Sequence, residues 1–253
     1  MTSLHLSRGG DSKAGPPIVL LHGFGGDHRA WRYVQPCLER DRQVLAFDLP
    51  GHGKSLGRSE SGNAGVAAKV ILRDLQELGI EAAHLAGHSL GGATAALVAL
   101  MAPQLVRSLT LLAPGAFGPE VNHRLLRRFA VASDEAEIAL LLEQFFGWQN
   151  PLPPNLAAEL AQTRRADGQI KALTSIVEGL FDGDSQKVLP IEQLAAGPFA
   201  VKVLWGTQDR VVPTRQAHKL PARIAVHIFE NAGHMLPYEI AGDVAHLILQ
   251  NAR

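Results

Sequence analysis

The strongest constraint on the fold is an alternation of short apolar runs with stretches of helical periodicity. Apolar runs lie at Ile18–Leu21, 43–47 and 82–86, and each is followed within a few residues by glycine. Between and after them, apolar residues recur at helical spacing over 64–78 and Leu90–Met101. Short, wholly apolar strands that alternate with helices are typical of a parallel sheet covered on both faces. The sequence therefore predicts an α/β fold with a mostly parallel central sheet.

The alternation is interrupted in the middle of the chain. Over 114–198 we find no convincing strand, but helical stretches near 122–132, 134–146, 156–165 and 170–181. Apolar runs resume at 201–205 and 225–229, and a closing helix is expected over 238–249. We therefore predict an α/β core made of residues 1–114 and 199–253, with a helical cap, residues 115–198, inserted between two strands of the sheet.

Composition excludes several classes of partner. The 24 Lys and Arg residues equal the 24 Asp and Glu residues, so there is no basic field to hold nucleic acid. The longest apolar runs are too short to cross a bilayer, so no membrane association is expected. The single cysteine, Cys37, excludes an intramolecular disulfide and favours a reducing compartment. Because residues 1–10 have no signal-peptide pattern, we expect a cytoplasmic protein. The sequence leaves the oligomeric state open.

The motif that carries chemistry is Gly-x-Ser-x-Gly at residues 87–91, between a predicted strand and a predicted helix. A serine on such a sharp turn takes a strained backbone conformation, and the glycines beside it let other chain segments come close. Ser89 is therefore our candidate nucleophile. The N–H of Leu90, at the start of the helix, is a candidate donor to an oxyanion. The alternative is that Ser89 is simply a helix N-cap.

A serine nucleophile needs a base, and the base needs an acid to orient it. In folds with this strand–turn–helix motif, the chain order is Ser, then Asp or Glu, then His. Asp209 follows the apolar run 201–205, and His234 follows the run 225–229. We therefore predict Asp209 as the orienting acid and His234 as the general base. Asp182 and Asp184 are alternatives for the acid, but they lie within the predicted cap.

A second oxyanion donor is expected from the loop after the first apolar run. There, Gly23 permits a turn, and the N–H of Phe24 can face the oxyanion. We interpret His22 as a structural residue that holds this loop. The histidines do not have the spacing of a zinc site, and no cysteine or carboxylate completes such a set. We therefore expect neither a metal nor another cofactor.

These segments together resemble the α/β-hydrolase superfamily. The resemblance is carried by residues 19–24 (VLLHGF), 48–55 (DLPGHGKS), 87–92 (GHSLGG), 205–209 (WGTQD) and 233–234 (GH). More narrowly, the chain is similar to the hydrolase-like domain of the acetyltransferase component of acetoin dehydrogenase complexes, through residues 111–115, 118–120 and 165–168. In that family a lipoyl domain precedes this one, and we expect none here. Because the first clear run begins only at Ile18, the leading strands are expected to be shortened or partly absent.

The resemblance implies hydrolysis of a small carboxylic ester or thioester through an acyl-enzyme. A serine at the nucleophile position argues against haloalkane dehalogenase and epoxide hydrolase chemistry, for which relatives carry aspartate. Two alternatives stay open: transfer of the acyl group to a thiol such as coenzyme A, and a non-catalytic binding protein on the same scaffold.

Specificity is expected to lie in the predicted cap. The aromatic residues there are candidates either for an apolar acyl pocket or for helix packing. They are Phe117, Phe129, Phe145, Phe146 and Trp148. The basic residues Arg124, Arg127 and Arg128 could meet an anionic substrate, or could form a solvated helix face.

Overall fold

Seven strands form one sheet in the computed structural model, which describes residues 3–253, and two shorter strands form a hairpin. The strands are β1 (Leu6–Gly9), β2 (Ile18–Leu21), β3 (Val44–Phe47), β4 (Ala83–His88), β5 (Val106–Leu112), β6 (Phe181–Asp182), β7 (Ser185–Gln186), β8 (Ala200–Gly206) and β9 (Ile224–Phe229). The order across the sheet is β1-β3-β2-β4-β5-β8-β9. All neighbouring strands of this sheet run parallel except β1 and β3, which are antiparallel. The predicted mostly parallel sheet is confirmed.

Helices follow most of the strands. They are α1 (Gln35–Leu38), α2 (Ala64–Glu77), α3 (Leu90–Met101), α4 (His123–Val131), α5 (Glu135–Leu142), α6 (Leu156–Arg164), α7 (Gln169–Leu180), α8 (Ile191–Ala195), α9 (Leu236–Glu239) and α10 (Ala241–Asn251). Within the described residues, no helix has both the length and the apolar character that a membrane crossing requires.

The core lies on both sides of the sheet. Every residue of β2, β3 and β4 is buried, which explains why these strands are wholly apolar or nearly so. Helices α2 and α3 pack against each other, and α3 packs on β2, β4 and β5. Helices α1 and α10 form a second packed pair, in which α10 lies on β5 and β8. This arrangement leaves the loops at the carboxyl ends of the strands as the place for a site.

The connection between β5 and β8 is long and helical, although these two strands are neighbours in the sheet. We call residues 113–199 the helical segment. Within it, α4 packs on α7 and α5 packs on α6. Apolar side chains such as Leu126, Ile138 and Ile176 are buried and belong to the same hydrophobic cluster as the sheet. The helical segment therefore shares the hydrophobic core of the sheet, in addition to being connected to it through the chain.

The sheet begins with a short strand before Ile18, in agreement with the expected shortening of the leading strands: β1 has four residues and pairs with β3 at the sheet edge. Two sequence predictions need correction. The middle block, predicted to lack strands, contains the β6–β7 hairpin. The predicted closing helix is two helices, α9 and α10, because the backbone of Ile240 leaves the helical conformation (φ −137°, ψ 43°).

Candidate active site

Ser89 occupies a strained turn between β4 and α3. Its backbone has φ 53° and ψ −114°, a positive φ that is uncommon for a residue with a side chain. The surrounding chain holds this conformation: the Ser89 N–H donates to the carbonyl of Leu112, and the Ser89 carbonyl accepts from the N–H of Gly115. Strain of this kind persists only where its surroundings fix it, and it is frequent at functional sites.

The glycines on either side of Ser89 are required by close backbone contacts. A Cβ atom on Gly87 would lie 2.2 Å from the carbonyl oxygen of Gly91. A Cβ atom on Gly91 would lie 2.1 Å from the carbonyl oxygen of Leu21, at the end of the neighbouring strand. Since neither backbone oxygen can move far, both positions of the Gly-x-Ser-x-Gly motif need glycine to form this turn.

His234 and Asp209 form a buried pair in the loops after β9 and β8. The Nδ1 of His234 lies 2.8 Å from Oδ2 of Asp209, and both side chains are almost completely buried. The other oxygen of Asp209, Oδ1, accepts the backbone N–H groups of Val211 and Val212, which fixes the carboxylate. A proton on Nδ1 donates to the carboxylate, so Nε2 is the basic nitrogen of His234.

Ser89 and His234 line the same small cavity, of about 50 Å³, which we call the histidine-side cavity. The structure therefore brings the predicted residues Ser89, His234 and Asp209 close together. The alternatives for the acid are elsewhere. Asp182 and Asp184 are exposed on the β6–β7 hairpin, and Asp184 lies 3.3 Å from Nε2 of His123.

The loop predicted to supply the second oxyanion donor lies directly beside Ser89. A Cβ atom on Gly23 would be 3.3 Å from Cβ of Ser89, and the next residue, Phe24, lines the histidine-side cavity. His22 holds this loop: its Nε2 accepts the N–H of Leu49, and its Nδ1 donates to the carbonyl of Gly23. Burial lowers the pKa of His22, so the ring is neutral and keeps both bonds.

His88 ties the nucleophile turn to the loop of His234. Its Nε2 donates to the backbone carbonyl of His234 over 2.8 Å, and the two rings lie 4.8 Å apart. Burial holds the pKa of His88 well below its usual value, so the ring stays neutral at ordinary pH. His88 is thus a structural link between the two strand ends.

Glu239 is a residue of this site that sequence reasoning missed. Its Oε2 accepts the N–H groups of Gly233 and Gly147, each over 2.8 Å, and its Oε1 accepts the N–H of Met235 over 2.9 Å. One carboxylate therefore holds both neighbours of His234 and also binds the loop after α5. The sequence signal that could have found Glu239 is its position one helical turn after Met235. In the sequence alone, however, such a glutamate looks like an ordinary exposed residue of a helix.

A second cavity, of about 250 Å³, also reaches Ser89, and we call it the apolar cavity. Phe24, Ser89 and Leu126 line both cavities. The remaining walls of the apolar cavity are mainly aliphatic and aromatic, and they include Leu97, Val121, Leu180, Phe181 and Leu189. Most of these residues come from the helical segment.

The aromatic candidates of the helical segment have different roles. Phe129 and Phe145 line the histidine-side cavity, with ring centroids 4.9 Å apart. Phe117 and Phe146 are buried in the core instead, and Trp148 is 75% exposed. The pocket role is thus wrong for Trp148, and Phe181, which was not predicted, lines the apolar cavity.

The candidate arginines of α4 face solvent. Arg124 and Arg128 are exposed, and Arg127 pairs with Glu178 of α7, with its Nε 3.1 Å from Oε1. The solvated-face interpretation of these residues agrees with the structure.

Among residues 3–253, one cluster of possible metal ligands is present, although the sequence predicted none. Donor atoms of His5, His28 and Asp48 all lie within 4.8 Å of one another. The buried Asp48 carboxylate, however, already accepts the N–H and Nδ1–H of His28 and the N–H of Lys54. Burial alone would raise the pKa of Asp48, but the hydrogen bonds from His28 hold it well below its usual range. These three side chains therefore fit a structural role, in which hydrogen bonds hold the surrounding loops together, better than a metal site.

Comparison with known proteins agrees with this architecture. The profile of the α/β-hydrolase fold family matches residues 16–239. A dihydrolipoyllysine-residue acetyltransferase component of an acetoin cleaving system from Cupriavidus necator is 37% identical over 91% of this chain. The chain spans 62% of that relative's length.

Two hydrolases are also similar. A 2-hydroxymuconate semialdehyde hydrolase from Pseudomonas sp. strain CF600 is 29% identical over 98% of this chain and 88% of its own. The crystal structure of 2-hydroxy-6-oxo-6-phenylhexa-2,4-dienoate hydrolase from Rhodococcus sp. strain RHA1 superposes with a TM-score of 0.86, covering 99% of this chain and 94% of its own at 22% identity. With its mostly parallel sheet, its strained serine turn and a family match over most of its length, the chain belongs to the α/β-hydrolase fold family.

Proposed function

We propose that the protein is a serine hydrolase that cleaves a carboxylic ester or thioester of a small molecule through an acyl-enzyme. The observation that carries this proposal is that His234, which lines the same cavity as Ser89, lies 2.8 Å from the buried carboxylate of Asp209. A strained serine beside a histidine that a buried carboxylate orients is the arrangement that activates a hydroxyl group.

In the proposed mechanism, Ser89 Oγ forms a bond to the carbonyl carbon while His234 Nε2 takes the hydroxyl proton. The N–H groups of Phe24 and Leu90 stabilise the oxyanion, and each such donor is typically worth a factor of about 10² to 10³ in kcat. The carbon–oxygen or carbon–sulfur bond then breaks, and His234 gives the proton to the leaving group. Water repeats the sequence, releases the acid and restores Ser89.

The surroundings of the site support two further parts of the proposal. We propose that residues 115–198 act as a cap, since side chains from this stretch form much of both cavities next to Ser89. We also place the protein in a reducing compartment, the cytoplasm, on the ground of its single cysteine.

A second candidate function is transfer of the acyl group to a thiol. It is favoured by the similarity to a protein named as a dihydrolipoyllysine-residue acetyltransferase component, although this chain spans only part of that relative. Both functions share the acyl-enzyme at Ser89 and differ in whether water or a thiol attacks it.

The test is labelling with a fluorophosphonate probe, followed by turnover of p-nitrophenyl esters with and without coenzyme A or dihydrolipoamide. We expect labelling and turnover in the wild type, and loss of both in Ser89→Ala. Faster release of p-nitrophenol with formation of the thioester would favour acyl transfer. A folded wild type that neither labels nor turns over esters would contradict the proposal and favour a binding protein.

A further inference from the structure

Two cavities meet at Ser89, and only one of them has His234 in its wall. We propose that the apolar cavity binds the acyl chain of the substrate and that this chain is of medium length, about eight carbons. The histidine-side cavity then receives the alcohol or thiol. This inference rests on the proposed function, because it concerns the two sides of the bond that Ser89 attacks.

The direction of the substrate follows from the path of the proton. In acylation, the proton of Ser89 passes through His234 to the leaving oxygen or sulfur. The leaving atom must therefore lie on the side of Ser89 that His234 occupies, which is the histidine-side cavity. The acyl chain extends from the opposite side of the carbonyl carbon. The cavity that reaches Ser89 without His234 in its wall is the apolar cavity, which is lined by residues of α3 and by Leu180 and Leu189.

The size and chemistry of the apolar cavity indicate an unbranched apolar chain. A methylene group takes roughly the volume of a water molecule, about 30 Å³, so a cavity of about 250 Å³ holds about eight such groups. Its walls beyond Ser89 are dominated by side chains such as Leu97, Val121 and Phe181, which offer little to a polar chain. Besides Ser89, the polar residues of the lining are Asn63 and Lys187, which are exposed, and Gln186, whose amide is hydrogen-bonded to the backbone.

The far wall of this cavity is held in place by hydrogen bonds. The side chain of Gln186, on β7, accepts the N–H of Ala116 over 2.9 Å and donates to the carbonyl of Gly118 over 2.8 Å. The N–H of Leu189 also donates to the carbonyl of Ala116. The cavity is thus preformed, and a chain that enters it does not have to order the wall first.

The histidine-side cavity differs in its size and in its charged residues. It is about 50 Å³, and besides apolar side chains such as Phe129 and Leu142 its lining includes charged residues that are paired with one another. Arg29 pairs with Asp27 over 2.6 Å, and Arg32 pairs with Glu159 of α6. The cavity holds only the first atoms of a leaving group, so the rest of the alcohol or thiol passes these partly exposed pairs, which suit a polar group better than an apolar chain.

The inference is tested with p-nitrophenyl esters from acetate to dodecanoate. In the wild type, we expect kcat/KM to rise about two- to fourfold per methylene up to about eight carbons, and then to level off. In Leu97→Trp, which fills the apolar cavity, the ratio of kcat/KM for octanoate to that for acetate should fall at least tenfold. In Leu97→Ala, which enlarges the cavity, the optimum should move to longer chains.

The matched control fills the other cavity. Leu160 lines the histidine-side cavity, so Leu160→Trp should leave the octanoate-to-acetate ratio within twofold of the wild type and should change the preference between small and bulky leaving groups. A flat chain-length profile in the wild type, or an acyl ratio that responds to Leu160→Trp and not to Leu97→Trp, would overturn the assignment.

A crystal structure of the protein after reaction with octylphosphonyl fluoride gives a second readout that does not need turnover. The octyl chain on Ser89 should lie in the apolar cavity, and a chain in the histidine-side cavity would reverse the assignment. If no adduct forms at Ser89 and no ester is cleaved, the proposed function itself has failed, and this inference fails with it.

Discussion

The loops at the strand ends and the helical segment build the candidate site in different ways. The loops hold Ser89, Asp209 and His234 with backbone hydrogen bonds, close glycine contacts and the carboxylate of Glu239. The helical segment contributes mostly apolar walls, such as Phe129 and Phe181, whose positions depend on packing. Changes in the loops should therefore affect the chemistry, and changes in the segment should affect which substrate enters.

The largest effect is expected at the carboxylate that orients His234. Asp209→Asn keeps the shape of the side chain but favours the wrong tautomer of the histidine, so kcat for a p-nitrophenyl ester should fall by about 10⁴. The control is Asp184→Asn on the exposed hairpin, which should change kcat less than twofold. A loss smaller than tenfold in Asp209→Asn would remove Asp209 from the proposed mechanism.

The next effect concerns the free energy of unfolding, measured with urea. Gly91→Ala places a Cβ atom 2.1 Å from a backbone oxygen, so the variant should lose about 4 kcal/mol or fail to fold. Gly168, before α7, has a positive φ of 81°, unlike Gly91, and has open space around it. Gly168→Ala should therefore cost only about 1 kcal/mol. Equal losses at the two positions would show that the close contact at Gly91 costs no more than a side chain at a positive φ, and would contradict the need for glycine at position 91.

Glu239 links the two regions, and its replacement should affect both. In Glu239→Gln, one oxygen becomes an NH₂ group that faces backbone N–H donors, so the unfolding free energy should fall by about 2 kcal/mol. Both neighbours of His234 lose a hydrogen bond that fixes their backbone. We therefore expect kcat to fall about tenfold to a hundredfold with little change in KM. A merely structural role would leave kcat and its pH profile unchanged in the folded fraction. The control is Glu178→Gln on the exposed face of α7.

The smallest effect tests the buried histidines, which belong to the strand-end loops. Burial lowers the pKa of His52 to about 3, so its ring is neutral in the folded protein and protonated below pH 6.5 in the unfolded chain. Its contribution to stability is present above pH 6.5 and is lost as the pH falls below that value.

This contribution is measured as a difference between two slopes. Between pH 6.5 and 5.5, the unfolding free energy of the wild type should fall by about 1 kcal/mol more than that of His52→Gln. The comparison is made by urea unfolding at both pH values. Equal slopes in the two proteins would mean that the His52 ring is protonated in the folded state.

The sequence predicted the strand-end features well because they are local. Helix Leu90–Met101 has the predicted bounds, since the serine turn starts it, and Ser89, Asp209 and His234 each follow an apolar strand. Which residues of the helical segment line the cavities was harder to predict. Phe181 lies at the apolar cavity because of the β6–β7 hairpin and the packing of α7, and the spacing of residues in the sequence does not indicate either. Glu239 was missed because three of its partners are backbone N–H groups, which no residue type in the sequence indicates.

The position of the helical segment between two neighbouring strands has a consequence for how the chain folds. In the pairing of β4 with β5, Leu85 is opposite Leu109, and the two residues are 24 positions apart in the sequence. In the pairing of β8 with β9, Val201 is opposite Ile224, and the separation is 23 positions. Between β5 and β8, Leu112 faces Leu204, a separation of 92 positions. The entropy lost on closing that longer loop is greater by about 1.2 kcal/mol. The β4–β5 and β8–β9 pairs are therefore expected to form before β5 and β8 pair with each other, and that later pairing also completes the surroundings of Ser89.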